Sequence, residues 1–183
     1  MDESDSALIR RYGSGDASAL EALYWRHAQR VWRYARYFSN DDEQAAEILQ
    51  ETFVRVAQHL KNFEERAQFT TWLFTVVRSV AVELSRRRAR TPSLDDADMA
   101  ERIPSDDLEP PEQVTLDETR AVVRAAIARL PENEREVVLL CEIEELPLKS
   151  ACEILGWGES RVKVTLFRAR RRLKELLASH VRA

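Results

Sequence analysis

The sequence predicts an all-α protein: two helical domains, residues 1–90 and 117–183, joined by an acidic flexible linker over 91–116. Three observations predict it. Apolar residues recur at spacings of three and four along most of the chain, the period of a buried helix face. Residues 91–116 carry eight acids, one base and four prolines, which suits neither a long helix nor a core. Pro147 to Leu173 reads as two helices broken at Gly156-Trp157-Gly158, the layout of a helix-turn-helix.

The elements follow in order. Residues 5–12 form a short helix with Ala7, Leu8 and Ile9 inward, ended by Gly13-Ser14-Gly15. Asp16 caps a long helix to Phe38, since its carboxylate can accept from the free N–H groups there. Its stripe is Leu20, Leu23, Tyr24, His27, Val31, Tyr34, Ala35 and Phe38, on which His27 reads as a packed histidine. Asn40-Asp41 marks a turn, and Asp41 with Gln44 resembles a capping box. The next helix, to about Leu60, turns Ala45, Ile48, Leu49, Thr52, Phe53 and Val56 inward, leaving Glu43, Glu47, Gln50, Glu51 and Arg55 on the other side. After a loop at 61–68, a fourth helix from Thr70 to Arg88 carries Trp72, Leu73, Val76, Val77, Val80 and Leu84.

Past the linker, a helix runs from Pro111 or Glu112 to Leu130, and Pro131 opens another to Glu145. Val137, Val138, Leu140, Cys141 and Ile143 supply its apolar side; Glu142, Glu144 and Glu145 are solvated. Leu148, Ala151, Ile154 and Leu155 are the inward residues of the first helix of the helix-turn-helix. The last helix splits by phase. Val162, Leu166, Ala169 and Leu173 share one face; Arg161, Val164, Phe167, Arg168 and Arg171 lie roughly opposite, with Lys163 beside them. Cations among an aromatic and a β-branched residue suit the major groove, where charges hold phosphates and a few side chains reach base edges. The same pattern also fits an ordinary amphipathic helix with a solvated charge run.

A net charge of −4 is unexpected for a DNA-binding chain, but its distribution resolves the difficulty. The linker alone is net −7, while residues 1–90 and 117–183 are net +1 and +2. Arg86, Arg87, Arg88 and Arg90 end the first block, and seven cations lie between Arg161 and Lys174. Local potential, not net charge, steers a polyanion.

Other classes find little support. No apolar run is long enough to span a membrane, and the acidic N-terminus has no apolar signal core, so neither membrane insertion nor export is expected and the compartment is the cytoplasm. Cys141 and Cys152 lie among apolar residues without nearby histidines and read as small core residues. The three histidines are scattered and there is no glycine-rich phosphate loop. Neither catalysis nor a metal or cofactor is expected.

Two motifs resemble those of a known family. Glu47-Ile48-Leu49-Gln50-Glu51-Thr52-Phe53 resembles a helix of the extracytoplasmic-function (ECF) sigma factors of bacterial RNA polymerase. Leu130-Pro131-Glu132, Arg135-Glu136-Val137, Gly156, Val162-Lys163 and Arg168-Ala169-Arg170 resemble that family's promoter-reading C-terminal domain, and Phe69-Thr70-Thr71-Trp72-Leu73 agrees. The resemblance covers nearly the whole chain. It implies a dissociable polymerase subunit that directs promoter-specific initiation. Its partners would be core RNA polymerase, through the β′ clamp coiled coil and the β flap, promoter DNA, and an anti-sigma factor.

The implied roles fall on particular residues. Glu47, Gln50 and Glu51 would dock the clamp coiled coil, an acidic and amide face suiting a basic partner. The loop Asn62 to Gln68 would receive the single-stranded minus-ten element, with a base taken out of its stack. Phe63 fits either a base stack or the core. Arg78, Arg86, Arg87 and Arg88 would hold backbone phosphates there. Arg161, Lys163, Val164, Phe167, Arg168 and Arg171 would read the minus-thirty-five element.

The chain departs from the family pattern in places. Ser79 and Glu83 stand where the family often has asparagine and aspartate, which leaves the minus-ten preference open. Gly156-Trp157-Gly158 replaces a turn that ends in a capping serine, and Val164 replaces a serine. A sigma-like adaptor that captures an anti-sigma factor is an alternative, though such adaptors carry an added receiver domain and the basic last helix argues against it. A plain helix-turn-helix regulator would explain residues 112–183 but not Glu47 to Phe53.

Overall fold

Ser4 opens the first helix: its hydroxyl accepts from the Ala7 N–H at 3.3 Å, satisfying a donor the helix cannot. The computed structural model describes residues 3–39, 41–63, 68–90 and 114–181, with side chains over 121–178 in the last stretch. Helices are the only regular secondary structure among these residues. The chain divides into two compact units, Met1–Arg102 and Ile103–Ala183.

The first unit holds α1 (Asp5–Gly13), α2 (Ser18–Arg36), α3 (Asp42–His59), a 3-10 turn (Leu60–Asn62) and α4 (Phe69–Arg90). Gly15, with φ of 101°, makes the break after α1. Asp16 caps α2 as expected of its chemistry, but from one residue outside: the helix starts at Ser18, whose N–H donates to Asp16 Oδ1 at 3.0 Å. Asp41 caps α3 by accepting from the Gln44 N–H at 2.8 Å, and the Gln44 amide reaches back to its other carboxylate oxygen. Leu23, Val31, Ile48, Val56, Leu73, Val77 and Val80 make the core, with Tyr34 set edge-on to Phe74 at 5.2 Å. Leu49 and Val76, expected inward, are half-buried. His27 is buried, as its place on the stripe implies, and its Nε2 lies 3.0 Å from Asp5 Oδ2, joining α2 to α1.

The second unit holds α5 (Val114–Ala128), α6 (Glu132–Val138) with a π-helical turn (Leu139–Ile143), α7 (Leu148–Leu155) and α8 (Glu159–Val181). Residues 91–113 of the expected linker lie outside the described residues. Ile127, Leu130, Val137, Leu140, Ala151, Ile154, Val162 and Ala169 are buried together. Small Ala151 is fully buried on α7, which packs against α8.

The structure overturns part of the reading of residues 132–145. Residue type puts apolar Ile143 inward and Glu144 outward, but at 100° per residue Glu144 falls within about 20° of buried Val137 and Ile143 about 120° from it. In the π turn the Glu144 N–H donates to the Leu139 carbonyl, five residues back, at 2.8 Å. Ile143 is accordingly exposed and Glu144 buried. Glu145 then takes a φ of 52°, a left-handed conformation uncommon outside glycine, and ends the helix. Cys141 and Cys152, expected in the core, are half-buried free thiols.

α7 ends as the sequence requires. Gly156 takes the left-handed conformation (φ 67°), the Gly156 N–H donates to Glu153 at 3.3 Å and the Trp157 N–H to Cys152 at 3.1 Å. This pair of bonds closes a Schellman turn.

Candidate nucleic-acid interface

The outer face of α3 carries Glu47 and Gln50, both exposed, and Glu51, half-buried. At 100° per residue, position 54 falls between 50 and 51 on the same face. Val54 there is 43% exposed. Sequence reading passed it over because an apolar residue in a helix is assigned inward by default; its phase was the available signal.

These acids are tied to α4. Arg88 bonds Glu47 and donates to the Gln44 amide oxygen at 2.9 Å. Glu51 pairs with Arg55 at 2.8 Å, Arg55 with Glu83 at 2.7 Å, and Glu83 with Arg87 at 2.5 Å. Glu83 therefore sits below the usual carboxylate range, chiefly because of the Arg55 hydrogen bond. A ladder of alternating charges thus runs from the expected docking face to the expected phosphate-binding end of α4. Arg86 and Arg88, two residues apart, project about 200° from each other. Arg86 faces solvent with Ser79, while Arg88 faces α3. The arginines of α4 therefore form no single row. Arg78 is half-buried and engaged.

Asn62 is exposed in the 3-10 turn, and residues 64–67 lie outside the described residues. Phe63 is half-buried in an aromatic cluster, 5.2 Å from the Trp72 ring and 6.0 Å from Phe69. It is neither wholly core nor wholly free. Phe69 in turn meets His27 edge-on at 5.3 Å.

On α8 the structure brings the expected residues together. Val162, Leu166 and Ala169 are buried, and Arg161, Lys163, Val164, Phe167, Arg168 and Arg171 are all exposed opposite them. Phe167 is 68% and Val164 49% exposed, a large apolar area to leave in water beside four cations. Lys163 pairs with Glu159 one turn earlier, while Arg171 only approaches Glu175, at 4.0 Å. Arg161 lies over the Trp157 ring, 3.8 Å from its centroid. Arg170 and Arg172 instead bind Glu142 and Glu134 and belong to the fold.

A helical protein with an acidic outer face on α3 and an exposed cationic, partly apolar face on α8 is the class these surfaces define. Residues 23–91 match Sigma-70 region 2, and residues 120–173 match Sigma-70, region 4. The chain is 30% identical to the RNA polymerase sigma-H factor of Pseudomonas aeruginosa over 182 residues, covering 96% of this chain and 94% of that one. It is 32% identical to the ECF RNA polymerase sigma factor SigE of Mycolicibacterium smegmatis, covering 91% of this chain and 66% of the relative. Its fold is similar to CnrH solved with the cytosolic domain of CnrY, at a TM-score of 0.69 and 24% identity over 97% of this chain and 99% of that chain. It is also similar to RpoE of Bartonella quintana solved with the anti-sigma factor NepR, at 0.71 and 22% over 86% and 96%. The chain belongs to the extracytoplasmic-function group of RNA polymerase sigma factors.

Proposed function

We propose that α3 docks core RNA polymerase through Glu47, Gln50, Glu51 and Val54, and that α8 reads the minus-thirty-five element through Arg161, Lys163, Val164, Phe167, Arg168 and Arg171. The observation that carries this reading is the face of α8, where exposed Phe167 and Val164 stand among cations. Solvation alone does not account for an exposed phenylalanine there; contact with thymine methyls and base edges does. Asn62, Phe63, Arg78, Ser79, Arg86, Arg87 and Arg88 serve the minus-ten strand, with Phe63 as one edge of an aromatic platform. The chain works in the cytoplasm as a polymerase subunit and leaves catalysis to the polymerase; no helix of the described residues is long and apolar enough to cross a membrane. The β flap takes the shallow apolar groove of about 580 Å³ lined by Ile127, Val138, Ile143, Leu173 and Leu177. An anti-sigma factor is its regulator, as the complexes of the two solved structures suggest.

Run-off transcription with core polymerase on a genomic promoter library tests the reading. Start sites sharing a minus-ten and a minus-thirty-five element are expected. Loss of the minus-thirty-five preference, with core binding kept, is expected when Val164, Phe167 and Arg168 are replaced together. Transcription that does not depend on this chain would refute the reading.

A further inference from the structure

The Arg161 guanidinium lies 3.8 Å from the centre of the Trp157 ring. The three other cation–ring pairs among the described residues stand at 5.5, 5.7 and 5.9 Å. Only Arg161 therefore lies against a ring face at contact distance. Trp157 is half-buried in the turn whose two backbone hydrogen bonds fix its place, and Arg161 is exposed in the first turn of α8. The first turn of a recognition helix is the part that meets base edges.

Stacking uses the face of a guanidinium and leaves its N–H edge free. We propose that Trp157 is a positioning residue for minus-thirty-five recognition, holding Arg161 flat so that its fork of donors is presented ready-made to a pair of acceptors on the DNA. Those acceptors are guanine O6 and N7 or two phosphate oxygens, both of which accept a bidentate arginine. An unstacked arginine samples many rotamers and must lose that freedom on binding; Trp157 removes most of the loss beforehand. The turn thereby supplies specificity although the indole touches no base. This inference rests on α8 being the DNA-reading helix.

The test uses holoenzyme assembled from the full chain and core polymerase. Its probe is a duplex that this holoenzyme selects from a library randomised over the minus-thirty-five region. Trp157→Phe keeps an aromatic face and is expected to bind within about twofold of the parent. Trp157→Leu keeps apolar volume without that face and is expected to bind about five- to tenfold more weakly, about 1–1.4 kcal/mol. In an Arg161→Gln background the two are expected to bind alike. Arg161→Lys leaves the turn untouched, keeps the charge and loses the fork, so it should reproduce the Trp157→Leu loss even if that variant folds poorly. Weakened discrimination at one G·C pair identifies a guanine edge; uniform weakening identifies phosphate. Equal binding by the Phe and Leu variants, or a Leu penalty that persists without Arg161, overturns the proposal. Arg168→Ala, measured alongside, separates the two failures. If it weakens binding while Trp157→Leu and Arg161→Lys do not, the Trp157 role alone falls; if none of them does, the assignment of α8 to DNA falls.

Discussion

Arg88 on α4 bonds Glu47 on α3, so a residue expected to hold DNA phosphate is held by one expected to hold polymerase. While the pair is closed, part of each group's hydrogen-bonding capacity is taken up inside the chain. Core docking on Glu47 and phosphate binding by Arg88 both draw on the same ion pair, and each should favour the other by opening it. Glu47→Gln is expected to weaken core binding while raising the affinity of the free chain for single-stranded minus-ten DNA. Fluorescence titrations of both partners check this; a fall in both affinities would mean that the pair only supports the fold.

Gln50→Ala with Glu51→Ala is expected to lower core affinity at least tenfold with unchanged helicity, as loss of a central contact does. Val54→Ser should add to that loss, since the valine shares their face. Core titration and far-ultraviolet circular dichroism measure both; an unchanged affinity removes α3 from the interface.

The two faces of α8 should separate by mutation. Arg168→Ala is expected to cost about 1–3 kcal/mol of DNA affinity and to flatten the salt dependence by about one unit. Leu166→Ala, on the buried face, should instead destabilise its unit by about 2–5 kcal/mol through the cavity it leaves. Val164→Ser should change promoter preference without unfolding the chain. Binding and chemical denaturation of the three variants decide the assignment, and constant promoter selection across Val164→Ser and Arg168→Ala would put the wrong side of α8 on DNA.

Acid should loosen α1 through Asp5. Burial pushes its carboxyl up, but hydrogen bonds from His27 and Arg26 and their charges outweigh this and hold it below its ordinary 3.8. A lowered folded value gives stability that is complete above about pH 4 and is lost as pH falls through the folded value. The parent should therefore lose melting temperature more steeply than Asp5→Asn as the pH falls below about 4. Parallel curves would deny the pair a role.

Cys141 should be nearly inert. Burial, then the neighbouring Glu142 charge, pushes its thiol up to about 11. At pH 7.5 its alkylation by iodoacetamide should run roughly tenfold or more slower than that of an unperturbed thiol, because the thiolate is the nucleophile. Mass spectrometry over a time course reads this directly; rapid modification would show a thiol more open than its surroundings imply.

What the sequence made legible was whatever depends on one helix at a time. The α8 faces follow from phase within a single element, and the end of α7 follows from Gly156. Asp16 was identified as a cap, though the helix begins one residue later than its position implies. The Arg88–Glu47 pair and the ladder through Glu51, Arg55, Glu83 and Arg87 were invisible because they depend on the register of α3 against α4, which spacing along the chain does not contain. The Trp157 stack was hidden likewise: the turn was evident from its glycines, but not the direction of the indole. Ile143 and Glu144 were exchanged because each was placed by its residue type, apolar inward and acid outward, and not by its phase.

The π turn makes residues 139–145 a counting device. One surplus residue, absorbed at the Leu139–Ile143 turn, sets where Glu144 and Leu146 land in the packed interior. Side chains there can be exchanged so long as their number is kept. A second surplus residue would have no such outlet and would turn everything up to Pro147 out of step with α7 and α8. Grafts between relatives should therefore be spliced outside this stretch, where a change in length costs less than a broken count.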